Sequence, residues 1–345
     1  MMNDKRLSNC SFIKTVLMIL VILYHSCVFW TENWWSDLPV FRSVILNYLS
    51  LYLNSFHVYA FTLVSGYVFS FKVLNNGYRN FWPFLINKAK RLLIPYLFVM
   101  IVWVAPISAI LFKWNIGYLV KKYILCVDPS QLWFLWMLFG VFAIAWPLRN
   151  IFLNNSLCGL LISLLFFVLG VIGKRYVPNY FCVWTAFQYV FFFFVGMRIR
   201  CEEEKRGKSF EQRLPWFFWL IADIALFVLL QLINQKEGIM WSVLSFSIGL
   251  FLHLVGAITA WIILQIIANK KKRKQKSYVG KLSIVSMPMY LFHQQIVYFC
   301  ILALDGKIHP FLHATINFVI AFCVSYFISK VLMKWKFTRL LIGER

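Results

Sequence analysis

Long apolar runs alternate with short polar segments along the whole chain. They cover 12–30, 47–71, 92–112, 132–148, 157–173, 183–197, 215–233, 242–268, 282–304 and 311–333. A helix that crosses a bilayer needs ~20 predominantly apolar residues. The shorter runs reach across with tilt or with aromatic residues at their ends. Polar residues 174–180 barely separate the fifth run from the sixth. The pattern predicts an all-α, polytopic integral membrane helix bundle of about ten transmembrane helices, forming one transmembrane domain over residues 1–345. Lys14 interrupts the start of the first run and no small-residue cleavage site follows it, so the run reads as helix 1 rather than a cleaved signal.

Composition supports this reading. The chain is 61% hydrophobic, 19% aromatic and only 14% charged; a water-exposed domain could not cover so much apolar surface. Charge adds orientation. With the N-terminus inside, 27 of the 35 Lys and Arg fall on inner segments, including Arg198 to Arg213 and Lys270 to Lys281. Basic residues favour the cytoplasmic side, so both termini are expected there, in the cell inner (cytoplasmic) membrane. The net charge of +23 is then a basic face against anionic lipid rather than a nucleic-acid surface. The Lys270–Lys274 cluster reads as a topology anchor, with an anionic ligand as the alternative. The eight cysteines are scattered without a Cys-x-x-Cys pair, which indicates neither a disulfide framework nor a zinc site.

Candidate chemistry comes from polar groups inside the runs, because each is expensive there. His25 lies eleven residues after Lys14, about three helical turns, so the two share a face some ~16 Å apart. Lys14 would sit at a membrane mouth and His25 deep. His57 precedes Thr62, Ser65 and Gly66, small or hydroxylated residues that permit close helix approach; it is expected towards the outer end of span 2. Arg79 to Pro95 mixes aromatics with Lys88, Lys90 and Arg91 and suits a helix lying in the headgroup layer. Lys88 and Arg91 share one face and can clamp a phosphate, or simply snorkel to lipid. Asp223, the one carboxylate well inside an apolar stretch, is either a structural partner or an orienter of an imidazole. Glu32 and Asp37 lie just outside helix 1, where they meet an acceptor sugar or solvent. His253 reads as a contact between helices. His309 and His313 have ligand spacing but lack a third ligand.

Taken together, several segments resemble the membrane-bound acyltransferase family 3. They are Lys14-x10-His25; Phe56-His57 leading to Phe61-x3-Ser65-Gly66-Tyr67; Lys88-Ala89-Lys90-Arg91-x3-Pro95-Tyr96; Leu132-Trp133-Phe134-Leu135; and Tyr290-Leu291-Phe292-His293. The likeness runs from about residue 10 to 333. It implies ten helices and transfer of an acyl group, commonly acetyl from acetyl-CoA, to a carbohydrate or other hydroxyl acceptor. His25 would be the catalytic histidine. Acyl-CoA phosphates would rest on Lys14, Lys88 and Arg91, where Lys14 and Lys88 replace the more usual Arg. Gln131 stands where relatives often carry His, which weakens a catalytic role there.

His57, Ser65, Tyr67 and His293 are the possible acceptor-binding or supporting residues, with Ser65 or Tyr67 the candidate oxyanion donor. The expected chemistry is general-base catalysis by neutral His25, the form that burial favours, with an acyl-histidine relay as the open alternative. The expected partners are acyl-CoA as donor substrate, a cell-surface polysaccharide or its lipid-linked precursor as acceptor, and membrane lipid. No bound cofactor or metal is called for, and no nucleic acid. A transporter of a polysaccharide or lipid-linked sugar is the other class, although it should show paired halves with broken helices.

Overall fold

A chain crossing hydrocarbon must satisfy its backbone hydrogen bonds within itself, which confines apolar runs like these to helices. The computed structural model describes residues 2–32, 34, 37–212, 215–270 and 273–344, and the side chains among them except those of 2–6 and 273–279. Lys271 and Lys272 of the anchor cluster lie outside the described residues, as do Arg213 and Arg345.

Each predicted run becomes one long helix, and ten are long and apolar enough to cross a membrane. They are α1 (Met2–Cys27), α2 (Val44–Leu74), α3 (Phe81–Phe112), α4 (Trp133–Asn154), α5 (Ser156–Tyr176), α6 (Val183–Arg206), α7 (Trp216–Ile233), α8 (Ile239–Lys270), α9 (Arg273–Leu304) and α10 (Pro310–Leu332). Local signals set their ends. Ser43 caps α2 by accepting from the Leu46 amide, Asn155 caps α5 by accepting from Cys158, and Pro310 opens α10 behind a capping His309. The narrow polar break at 174–180 is a true one: α5 stops at Tyr176, and a tight turn at Tyr180–Cys182 leads into α6.

The segment expected to lie in the headgroup layer does not form a separate helix. Phe81 to Val99 runs on through a wide π turn at Met100–Val104 into Ala105–Phe112. Pro106 follows just past the π turn, where the helix continues through it, and apolar residues 96–112 carry the helix onward. The π turn allows Trp103 Nε1 to donate to the Phe292 carbonyl at 3.1 Å, tying α3 to α9.

Two glycines set the central crossing. A Cβ on Gly66 of α2 would lie 2.0 Å from the Phe193 carbonyl oxygen of α6, and one on Gly196 of α6 would lie 1.9 Å from that of Leu63 on α2. The backbones therefore touch, as the small residues of span 2 predicted. At the periphery, α7 is mostly exposed along its length, as a lipid-facing helix must be, and buries Asp223 and Ile233. Two polar contacts hold it. The Tyr52 hydroxyl donates to Asp223 at 2.7 Å, and Thr259 donates to the Trp219 carbonyl at 3.1 Å.

Candidate active site

Five elements enclose a cavity of about 700 Å³. The walls come from one face of each. Ser11, Lys14, Met18, Val21 and His25 recur on α1 at the spacing of a single stripe, and Asn54, His57, Val58, Phe61 and Ser65 do so on α2. Parts of α3, the start of α4 with the turn before it, and α9 add further walls, and Trp34, the loop after α3 and Glu344 close the ends.

One end is cationic. Lys14, Lys88 and Arg91 all line it and repel one another electrostatically. Among the described residues none of the three has a carboxylate within ion-pair distance. Aromatic faces carry part of the burden instead. The Lys88 ammonium lies 3.8 Å above the Phe142 ring, and that of Lys14 lies 5.6 Å above Phe61. Glu344 also reaches this end, and Ser283 and Ser286 add hydroxyls. Burial raises the Glu344 carboxyl above the usual carboxylate range, and the nearby Arg91 charge pulls it back. The turn before it is tight: Gly343 has φ +78°, and a Cβ there would meet the Arg91 carbonyl oxygen at 2.6 Å. Such an end suits a polyanion.

The opposite end is aromatic with a few charges. Trp34, Phe112, Trp114 and Tyr298 line it, together with Lys122, Asp128 and Ser130. Trp34 and Tyr298 rings sit 5.1 Å apart, and Phe112 stacks on Trp114 at 4.7 Å. Lys122 pairs with Asp128 at 3.4 Å and also lies 5.2 Å above the Trp114 ring. Rings flanked by a carboxylate and an ammonium suit a polyhydroxylated ligand.

Histidines occupy the middle. His25 Nδ1 lies 3.0 Å from the Val21 carbonyl and 3.0 Å from His293 Nε2, while His293 Nδ1 lies 2.7 Å from the Tyr290 carbonyl. His57 Nδ1 lies 2.5 Å from the Leu53 carbonyl. The Tyr24 ring stands between, 4.8 Å from His25 and 5.0 Å from His57. His25 and His57 line the cavity, whereas His293 is wholly buried behind His25.

The structure thus brings Lys14, Lys88, Arg91, His25, His57 and Ser65 onto one cavity, with His293 against His25. Ser65 donates its proton to the Phe61 carbonyl at 3.0 Å, so it is not poised as an oxyanion donor. Tyr67 is not at the cavity; its hydroxyl donates to Glu203 at 2.6 Å between α2 and α6. Gln131 donates to Gln295 Oε1 at 2.7 Å and to the Leu291 carbonyl at 3.3 Å, bracing α9.

Glu32 pairs with Arg42 at 3.1 Å, and neither it nor Asp37 lines the cavity. Asp223 accepts from Tyr52 and does not line the cavity, in keeping with the structural reading. His253 also ties helices: its Nδ1 lies 2.7 Å from the Ser55 carbonyl and its ring stacks on Tyr59. His309 caps α10, while the His313 ring packs against Trp30 at 5.2 Å.

Sequence reasoning missed Tyr24, Trp34, Trp114, Lys122, Asp128, Gln294, Tyr298 and Glu344. Tyr24 and Gln294 adjoin named histidines, and that adjacency was the available signal. Loop residues 114–130 gave none, since only folding turns that loop back over the cavity.

A family model described as an acyltransferase domain matches residues 10–332, nearly the whole chain. No curated protein and no solved structure matches the chain.

Proposed function

Because the chain belongs to this acyltransferase family, number 3 of its kind, we propose that it moves an acetyl group from acetyl-CoA to a hydroxyl of a cell-surface polysaccharide or its lipid-linked precursor, with His25 as general base. One observation carries the reading: His25 lines a single cavity that is cationic at one end and aromatic at the other. Acyl-CoA is a polyanion confined to the cytoplasm. Its phosphates fit Lys14, Lys88 and Arg91, where Arg offers a fork and Lys a point charge. The positive-inside bias supports a cytoplasmic orientation for that end, in the cell inner membrane. The pantetheine arm then runs along the apolar stripe of α1 towards His25. The acceptor enters from the aromatic end, where rings stack against sugar faces and Asp128 and Lys122 meet hydroxyls.

The steps balance simply. The acceptor hydroxyl gives its proton to His25 Nε2 as its oxygen bonds the thioester carbonyl carbon. The tetrahedral centre collapses, the carbon–sulfur bond breaks, and the thiolate leaving group takes the proton from His25. The products are the ester and free CoA thiol.

The test compares wild type with His25→Ala, purified to equal fold, following labelled acetyl from acetyl-CoA to extracted envelope glycans. Transfer should fall by about 100-fold or more while acetyl-CoA binding persists. Undiminished transfer would remove His25 as the base.

A further inference from the structure

We infer that His293 is a positioning residue for His25: its bare Nε2 accepts the Nδ1–H of His25, holding that ring with Nε2 unprotonated towards the cavity and sharing the charge that forms during transfer. The inference rests on the reading of His25 as base. It follows from assigning hydrogens to the pair. Backbone carbonyls only accept. The Tyr290 carbonyl lies 2.7 Å from His293 Nδ1, so that nitrogen carries the hydrogen of the neutral ring and Nε2 is bare. The Val21 carbonyl lies 3.0 Å from His25 Nδ1, so that nitrogen also carries a hydrogen. The one hydrogen on His25 then points between Val21 and His293 Nε2, the latter 3.0 Å away. The ring planes cross at 62°, an arrangement in which an edge N–H of one can meet the in-plane lone pair of the other. Among the described residues every ring nitrogen of the pair has a partner except His25 Nε2, the atom a base must keep free.

Exposure divides the roles the same way. His25 reaches the cavity wall, whereas His293 is 0% exposed and cannot touch a ligand there. Its placement is fixed from several sides. Gln131 bonds the Leu291 carbonyl and Gln295, and Trp103 bonds the Phe292 carbonyl, so the residues flanking His293 are pinned to α3 and to the turn before α4.

When His25 accepts a proton at Nε2 it becomes an imidazolium, and its Nδ1–H bond to His293 turns charge-assisted and stronger. The proton does not pass on. Moving it to His293 would leave the His25 Nδ1 lone pair facing the Val21 oxygen, two acceptors at 3.0 Å. His293 therefore shares the charge without relaying it, and the proton stays available to the leaving thiolate. Serine hydrolases give this orienting task to a carboxylate. A neutral imidazole performs it here without burying an anion in hydrocarbon.

The test uses the full-length chain in nanodiscs with His293→Leu, His293→Gln and His25→Ala. With acetyl-CoA and the glycan acceptor, His293→Leu should lower kcat about 100-fold or more, with KM for acetyl-CoA within about twofold. His293→Gln, whose amide oxygen can accept near the same point, should recover about tenfold of that loss. A kcat for His293→Leu within about twofold of wild type, or a loss carried by KM, would overturn the inference. His25→Ala separates the two readings: full turnover in it sinks the base itself, whereas a dead His25→Ala beside a fully active His293→Leu sinks the positioning role alone.

A second measurement needs no turnover. In protein labelled with ¹⁵N-histidine, both rings should carry hydrogen on Nδ1. A nitrogen–nitrogen coupling should link His25 Nδ1 to His293 Nε2 and vanish in His293→Leu. Hydrogen on Nε2 of either ring contradicts the assignment.

Discussion

At the scale of the residue, Glu344 is the one carboxylate at the cationic end of the cavity among the described residues, and its environment works against its charge. Burial raises this carboxyl, with Arg91 opposing. The side chain binds its proton more tightly in the folded protein than in the unfolded one. Its contribution therefore favours the folded state below the ordinary carboxylate range and is lost as pH rises through the raised value. The ionised form would also repel a polyanionic donor bound to Lys14, Lys88 and Arg91. Wild type should thus lose more affinity for acetyl-CoA than Glu344→Gln as pH rises from mildly acidic to neutral. Superimposable binding curves, measured calorimetrically, would show that Glu344 does not bear on the donor. Legibility at this scale was uneven. Lys14 and His25 could be paired from spacing alone, because a helix fixes which residues share a face. Glu344 could not be linked to Arg91, since 253 positions separate them and nothing periodic connects a late turn to α3.

At the scale of the element, ten helices were readable because hydrocarbon leaves a long apolar run no other backbone state. What the runs could not give was where one helix bends or how closely two approach. The π turn at Met100–Val104 has no Pro or Gly at its own positions; Pro106 just beyond it marks a place for a bend, but that the helix runs on through it emerged only with its neighbours in place. The α2–α6 crossing was half readable. Gly66 stood out among small residues, while Gly196 stood alone between Val195 and Met197 after the aromatic run Phe191–Phe194. Their reciprocal contacts make a sharp prediction. Gly66→Ala or Gly196→Ala puts a methyl group against a carbonyl oxygen and should lower stability by about 1–3 kcal/mol, seen as a drop in the thermal unfolding midpoint in detergent. Gly249→Ala on α8, where a Cβ meets nothing within 4 Å, is the control and should be neutral or better.

At the scale of the whole molecule, the cavity joins two chemically unlike ends, and the basic one lies beside Gly343 and Glu344, on the same side as the start of α1. An even number of crossings would bring the two termini to one side, and the charge bias predicts that this side is cytoplasmic. Single cysteines in place of Lys205, beyond α6, and Lys307, between α9 and α10, should therefore label from opposite sides of intact cells, Lys307→Cys alone reacting with an impermeant maleimide. The reverse pattern would turn the molecule over and hand the acyl donor to the wrong compartment.

The uncharged histidine pair has a further consequence, in the currency of voltage. A unit charge moved across the membrane field exchanges about 2.3 kcal/mol per 100 mV. Lys14, Lys88 and Arg91 stay at one end of the cavity and Lys122 with Asp128 at the other, while on the proposed assignment the histidine rings between them are neutral at rest. On the proposed reaction an acyl group and a proton change places, the acceptor O–H becoming a neutral ester as the thioester becomes a neutral thiol. The exchange would carry no net charge through the field, and the membrane potential would neither drive it nor hold it back.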